Sequence, residues 1–468
     1  MTAVDVAPGD DRAAPAYDIA ALRAALGDVP VIDEPPLVKQ KSRDFYWYSP
    51  VLKPQLKHKF ADLIAVPRDE ADVIMIAAAC ARLRMPLTVR GAGTGNYGQA
   101  VPLAGGLVVD MIGLDRIKHA EPGLVRVEAG KRMIELDRET RRVGPGPGWE
   151  QRMHPSTKRT ATIGGFVAGG SGGVGSVAYG GMREPGNILG ARLVTCEDTP
   201  RVIELSGADV GKVNRTYGTT GIMTEVTMPM APAWPWRDTL VAFDGVMPAM
   251  GFGQALATSD GIVKKLATVI AWPIPASFKH LDVPEGRDLA VCMIASPSMA
   301  AFRELVREHG GELLCDEDAV AAEEDPERVP LYEYTWNHTT LQLLKADKGI
   351  TYLQSLFPVG RNLEMAEHMV RHFGDEVLMH AEFIRFDGRP TNSALQIVRY
   401  TDEARLNEII DYHEAHDVWI ANPHVYTLEG GSRHKRVVQD QQLAFKAEVD
   451  PYGLLNPGKM ASYVPVRD

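Results

Sequence analysis

Cysteine is scarce in this chain. Four residues, Cys80, Cys196, Cys292 and Cys315, are spread over 468 positions. No two stand at CxxC spacing and none has a histidine at zinc-finger spacing, which excludes a disulfide scaffold and leaves small buried thiols as the expectation. No run reaches about 18 consecutive apolar residues, so no transmembrane helix is expected. Positive charge is short as well. The formal net charge is -11, which argues against a nucleic-acid surface built from clustered Lys and Arg. The N-terminal segment MTAVDVAPGDDRAAPAYD has neither the basic region nor the apolar run of a signal peptide, so a cytoplasmic protein is the default expectation.

What is present belongs to an ordinary globular protein: 45% hydrophobic and 24% charged residues, enough to bury a large core. At roughly 150 residues per domain the length gives two or three domains. Residues 1–16 read as a disordered tail. ADLIAVP is a short apolar run, EADVIMIAAACARLR an amphipathic helix, and PLTVRG a strand that delivers the chain into GAGTGNYGQ. GGLVVDM and LVRVEAG read as strands, and residues 132–142 as a helix. GARLVT and RVIEL read as a hairpin and GIMTEVTMPM as a strand, before a Pro/Trp linker, APAWPWRD. Beyond it FGQALATSDGIVKKLA and MAAFRELVREHG read as helices, LAVCMIAS and LMHAEFIRF as strands, and AEEDPER as a solvated charge run. LAFKAEVDPYGLLNPGKM is a helix followed by a turn-rich tail.

Two glycine-rich stretches, about 70 residues apart, carry the chemistry. The first, Arg90-Gly91-Ala92-Gly93-Thr94-Gly95-Asn96-Tyr97-Gly98-Gln99, follows a strand. Glycine admits positive φ and has no Cβ to hold a ligand away, so consecutive backbone N–H groups can face a phosphate. The stretch is neither GxxxxGK[ST] nor GxGxxG, and no helical pattern follows it, so the Walker and Rossmann readings fail. Alone it is a turn or a phosphate site. The second stretch, Ala161 to Gly181, makes the pair two walls around one extended dinucleotide. Thr94, Thr162, Ser171 and Ser176 add hydroxyl donors, and Arg90 either neutralises charge or caps a strand.

These residues resemble the vanillyl-alcohol oxidase / p-cresol methylhydroxylase (PCMH-type) FAD-binding oxidoreductase superfamily. Four ordered pieces carry the likeness: PLTVRGAGTGNYGQAVPLAGGLVVDM, HPSTKRTATIGGFVAGGSGGVGSVAYG, YGTTGIMTEVTMPMAP and DPYGLLNPGKM. The resemblance implies an α+β fold: an FAD-binding domain over residues 17–235, a cap or substrate domain over 236–435, and a C-terminal return over 436–468. It places Gly91 to Gln99 on the diphosphate loop. Pro155, Ser156, Thr160, Thr162, Ile163, Gly164, Gly165, Ser171, Gly172, Gly173, Gly175 and Ser176 fall on the second loop, Gly221 and Ile222 on the third piece, and Asn456 and Lys459 on the last. A cation there would stabilise the anionic reduced flavin ring; the alternative is an exposed C-terminal lysine. Many members attach FAD through a histidine in the first loop, where this chain has Thr94, and no cysteine occurs over residues 156–175. The expected cofactor is therefore non-covalent FAD, with attachment from the cap left open.

Oxidation of a C–H bond beside oxygen needs the carbon held over flavin N5 and a partner for the hydroxyl proton. In HDVWIANPHVYTLEGGSRHK, His424 matches a histidine of two branches. The Tyr-Arg pair of the phenol-oxidising branch would fall on Ala421 and Asn422 and is absent. His380 and Glu382 alternate onto one face of LMHAEFIRF as an orienting dyad or a solvated face. No metal site is expected, since MHAEF is a fragment of the metal-ligand pattern at best. Arg385 or Arg433 is the candidate for a substrate carboxylate. Tyr334, Trp336 and His338 alternate in YEYTWNHTT and, with Tyr426, are the candidate substrate residues, while YLQSLFPVGRN resembles a substrate-facing cap strand. The sequence reading is an FAD-dependent oxidoreductase that moves hydride from an alcohol-type carbon to the flavin. Its partners are a small-molecule substrate and O2 or another acceptor, with no nucleic acid or membrane; a homodimer stays open. The alternatives are a D-2-hydroxy-acid dehydrogenase and a flavoprotein whose FAD is structural or non-redox.

Overall fold

A computed structural model describes residues 17–144, 146–430 and 437–466; the expected tail over 1–16 lies outside the described residues. The first strand–helix–strand unit forms as its pattern predicts. Strand Leu63–Ala65 leads to helix Glu70–Leu83, capped by the Asp69 carboxylate on the Asp72 N–H, and the helix returns the chain to strand Leu87–Arg90. Val73, Ile76, Ala77 and Cys80 recur at helical spacing and are all buried, so the helix is held by its apolar face. The sheet runs in the order Val31–Ile32, Leu63–Ala65, Leu107–Asp110, Leu87–Arg90. Its last three strands are parallel. Their C-terminal ends are where parallel sheets present ligand sites, and the first glycine loop leaves from one of them.

The C-terminal return extends this sheet. Leu455 bridges Leu87 in parallel, the Leu87 N–H donates to the Leu454 carbonyl at 2.9 Å, and the Asn456 N–H donates to the Leu87 carbonyl at 2.7 Å. A second, six-stranded sheet is antiparallel, centred on the long strand Ile222–Pro232, with the hairpin Gly190–Val194 and Val202–Ser206 at one side. The second glycine region is not one loop. It contains two short helices, Ile163–Gly169 and Ser176–Tyr179.

From Trp236 onward the chain builds an eight-stranded sheet, with strand Lys264–Ile270 pairing strand His380–Phe386 near its middle. Phe243, Phe252, Phe302, Phe357 and Phe383 are fully buried against it, and burial of each contributes roughly 1.5–3 kcal/mol. Helices thus lie on antiparallel sheet, which with the parallel unit makes the molecule α+β.

Several elements differ from expectation. Residues GIVKKLA are not a continuation of the helix Val246–Thr258; the chain breaks at Ser259 and Lys264–Ile270 is a fully buried strand, because β-branched and apolar residues there fill the sheet. YEYTWNHTT is not extended. Leu331–Tyr334 is a 3-10 turn and Asn337 opens a helix, so Tyr334, Trp336 and His338 do not share a strand face. APAWPWRD is strand at both ends, with only Ala233 to Pro235 between. In AEEDPER, Glu323 is no solvated charge: it accepts from Lys158 at 2.9 Å and from the Tyr332 hydroxyl at 2.7 Å. No helix among the described residues is long and apolar enough to cross a membrane.

Candidate active site

The two glycine stretches meet. A Cβ placed on Gly91 would fall 2.1 Å from Thr162 Oγ1, and one on Gly164 would fall 2.8 Å from the Ala129 carbonyl. Thr162 caps the helix Ile163–Gly169 by accepting the Gly165 N–H at 3.3 Å. Together the stretches wall a cleft of about 1450 Å³, larger than the ~300–1,000 Å³ of an ordinary small-molecule pocket. Arg90 through Tyr97, Gln99, Pro155, Ser156, Thr162, Gly164, Gly165, Ser171, Gly172, Ser176 and Gly221 line it. Gly98, Thr160, Ile163, Gly173, Gly175, Ile222, Asn456 and Lys459 are not in the lining; they stand behind or beside it.

The first loop is shaped from below. Arg90 donates to the Arg43 carbonyl at 2.5 Å and the Ala92 carbonyl at 3.0 Å. Gly93, at φ +68, passes so close over that guanidinium that a Cβ would lie 2.1 Å from it. Only glycine fits both the dihedral and the space. Asn456 fastens the loop from the other side, donating to the carbonyls of Gln99 at 2.8 Å and Tyr217 at 2.7 Å. Lys459 is not an exposed C-terminal lysine. It is fully buried and donates to the Gly98 carbonyl.

Charge under the loop favours an anion. Arg90, Lys459 and Lys41 face two carboxylates, Asp44 and Asp110. Burial raises the Asp44 carboxyl and lowers the Lys459 ammonium, each opposed by the other's charge. Burial also lowers Arg90, against Asp110 and Asp44. The remaining positive charge, the unpartnered buried amide nitrogen of Asn96 and the Cβ-free walls suit a diphosphate.

Three lining segments were not assigned as site residues from the sequence: Gly207 to Gly211, Val213 to Gly218, of which only Tyr217 and Gly218 belong to the third piece of the resemblance, and Met182 to Leu189. The second of these carries two non-glycine residues at positive φ, Arg215 at +55 and Tyr217 at +53. It packs beneath Gly170, whose Cβ would lie 2.4 Å from Arg215 Cβ. The Asn-Arg-Thr-Tyr-Gly-Thr-Thr-Gly composition was its sequence signal.

Further lining comes from the eight-stranded sheet, with Ser355, Arg385, Ser393 and Trp419, and from the start of the helix Asn337–Ala346, with Trp336 and Asn337. Of the sequence-predicted catalytic residues, Arg385 alone reaches the cleft. It donates to the Gly388 carbonyl at 3.1 Å and pairs with Asp260, a largely exposed carboxylate. His424 does not face the cleft. Its Nδ1 lies 2.8 Å from Ser49 Oγ and its Nε2 3.0 Å from the Tyr352 carbonyl. The carbonyl can only accept, so Nε2 carries the proton and Nδ1 accepts from Ser49. Burial pushes the ring down to about 4, with the Tyr352 bond opposing. This is the geometry of a strut rather than of a base. His380 and Glu382 form the expected pair at 2.9 Å, but both are fully buried inside the sheet. Among the substrate candidates Trp336 lines the cleft. Tyr334 and His338 are not in its lining, and the Lys459 ammonium lies 5.1 Å from the centre of the Tyr426 ring. Arg433 lies outside the described residues. Among those described, no group of three or more His, Cys, Asp or Glu is arranged to hold a metal ion.

Residues 61–204 match the family model for the FAD binding domain. The chain carries an FAD binding domain. FAD is its cofactor, and the loops, cations and orphaned donor of the cleft fit that group. The chain is 30% identical to the glycolate oxidase subunit GlcD of Escherichia coli (strain K12) over 211 residues, 43% of this chain and 41% of that protein. The match thus spans about two fifths of that relative's length. It is 26% identical to the GlcD of Bacillus subtilis (strain 168), covering 85% of this chain and 88% of that one, and 29% identical to the D-lactate dehydrogenase of Anaerostipes hadrus, covering 35% and 34%. In fold it is similar to an alkyldihydroxyacetonephosphate synthase, with a TM-score of 0.70 at 13% identity over 96% of this chain and 86% of the other. It is also similar to Physcomitrella patens BBE-like 1, with a TM-score of 0.66 at 13% identity over 96% and 99%. The architecture is the PCMH-type FAD-binding fold.

Proposed function

We propose that the protein is an FAD-dependent oxidoreductase that oxidises the alcohol carbon of a small 2-hydroxy acid. The observation that carries the reading is the cleft, whose lining the glycine loops share with Arg385, Ser355 and Ser393. Relatives named as glycolate oxidase and D-lactate dehydrogenase support this over an aromatic alcohol, as does the absence of a Tyr-Arg pair at Ala421 and Asn422.

The residues divide the work. Bound FAD supplies the hydride acceptor. The first loop, Arg90 and Lys459 hold the anionic part of the cofactor, and Thr94 in place of a histidine leaves it non-covalent. Arg385 binds the substrate carboxylate. Its present partner Asp260 is exposed, where an ion pair contributes little, so the guanidinium is free to exchange partners. Ser355 and Ser393 offer hydroxyls to the substrate oxygen. Trp336 and Trp419 narrow the cleft and exclude water from the reacting carbon.

The test is anaerobic mixing of the yellow protein with glycolate, D-lactate and a phenolic alcohol. Bleaching of the flavin by a 2-hydroxy acid is expected. Bleaching by the phenolic alcohol alone would return the reading to the aromatic branch, and bleaching by none would leave a non-redox flavoprotein.

A further inference from the structure

Glu382 sits on strand His380–Phe386 with no solvent exposure. One of its oxygens accepts the backbone N–H of Trp336 at 2.6 Å and lies 2.9 Å from His380 Nε2, while the other accepts the Thr268 hydroxyl. The Thr339 hydroxyl donates to the Tyr334 carbonyl and lies 3.2 Å from the same His380 nitrogen. Nε2 therefore carries the proton, and Nδ1 has no partner. This buried set holds Trp336 at φ +51, a conformation that a bulky side chain rarely takes.

The unusual backbone aims the indole. A Cβ placed on Gly172 would lie 2.8 Å from Trp336 Cη2 and 3.3 Å from its Cζ3. The ring therefore rests on the second flavin loop at a spot that only glycine leaves open. Its Nε1–H is buried and has no partner, although Trp336 lines the cleft. Buried donors without acceptors are rare in folded proteins, and each one calls for an explanation. An acceptor arriving with the ligand supplies one.

We propose that Trp336 is a specificity-determining residue, pinned by Glu382 as a positioning residue: its ring seats the second flavin loop, and its indole N–H donates to an oxygen of the ligand in the cleft. That oxygen belongs either to the flavin ring or to the substrate. The proposal rests on the flavin reading, not on which acid is oxidised.

The holoenzyme tests it with Gly172→Ala, Trp336→Phe, their combination, and two Glu382 variants. Gly172→Ala is expected to speed FAD loss on dilution about tenfold; the smaller ring of Trp336→Phe relieves the clash, so the double variant keeps FAD better than Gly172→Ala alone. Trp336→Phe removes the donor. A shifted flavin absorption spectrum without substrate assigns the oxygen to the flavin. An unchanged spectrum, with KM for glycolate raised about tenfold at nearly constant kcat, assigns it to the substrate. Glu382→Ala reproduces the Trp336→Phe signature, and Glu382→Gln, which keeps an acceptor for the Trp336 N–H, returns wild-type behaviour. Independent effects at 172 and 336 together with an unmoved spectrum and KM would overturn the proposal. A Glu382→Ala variant that only melts earlier would overturn the positioning role. If glycolate fails to bleach the flavin, the functional reading fails, while the FAD-retention cycle and the spectrum still decide this one.

Discussion

Gly91→Ala tests whether the two glycine stretches form one cradle. The added methyl would lie 2.1 Å from Thr162 Oγ1 and 3.3 Å from Thr162 Cβ, and Thr162 is almost fully buried. Two responses are open. If the threonine turns away, the helix Ile163–Gly169 loses its cap on the Gly165 N–H, costing about 1 kcal/mol. If the loops part instead, overpacking costs about 1–3 kcal/mol. Either response therefore costs about 1–3 kcal/mol. Taken up by the FAD-bound geometry, that weakens FAD by between about 5-fold and 140-fold. The assay is a fluorescence titration of FAD, repeated with Thr162→Ala and with the double variant. Thr162→Ala alone should cost no more than the cap. The double variant should recover most of the Gly91→Ala loss, because the oxygen that the methyl strikes is gone. Strictly additive losses, or unchanged FAD affinity in Gly91→Ala, would refute the packing argument.

Three further outcomes are expected. Lys265→Met removes a buried partner 2.8 Å from Glu150, whose carboxylate keeps Arg141 at 2.6 Å and the Trp236 indole at 2.9 Å; the loss of one charged hydrogen bond should lower stability by about 1.5–3 kcal/mol, read by urea unfolding, and an unchanged midpoint would contradict it. His424, His413 and His338 are pushed down to about 4, chiefly by burial. The unfolded chain protonates them near 6.5, so their stability is complete above that pH and is lost as pH falls toward 4, up to about 3 kcal/mol each. Urea midpoints from pH 7.5 to 4.5 should fall, and less steeply in His424→Gln; equal slopes would count against the assignment. Arg385→Gln should raise KM for glycolate about 10-fold to 100-fold by removing a charged hydrogen bond, whereas an unmoved KM would place the carboxylate elsewhere.

The parts of the site that could be read from the sequence are those with local causes. Gly91, Gly93 and Gly95 announce a loop that side chains would obstruct, whereas the helix that Thr162 caps is hidden in the glycine-rich composition of the second stretch. The strand Leu87–Arg90 and the helix Glu70–Leu83 follow from apolar spacing alone. His380 and Glu382 share one strand face, as their period-2 spacing implies, and of the two readings open for them the structure shows the pair. Their burial was not readable, because it depends on which strands cover them.

The sequence by itself determined the parts of the cradle: two glycine-rich stretches that leave the backbone open, hydroxyls between them, and threonine rather than histidine at position 94. Tertiary structure alone decided what the cradle faces. It buried Lys459 beneath Gly98, turned His424 into a strut between Ser49 and Tyr352, and set Trp336 on Gly172 through a carboxylate on another strand. Those contacts join residues dozens to hundreds of positions apart. Spacing along a chain fixes a local dihedral or a helix face, whereas the meeting of distant side chains is fixed only when the sheets have packed.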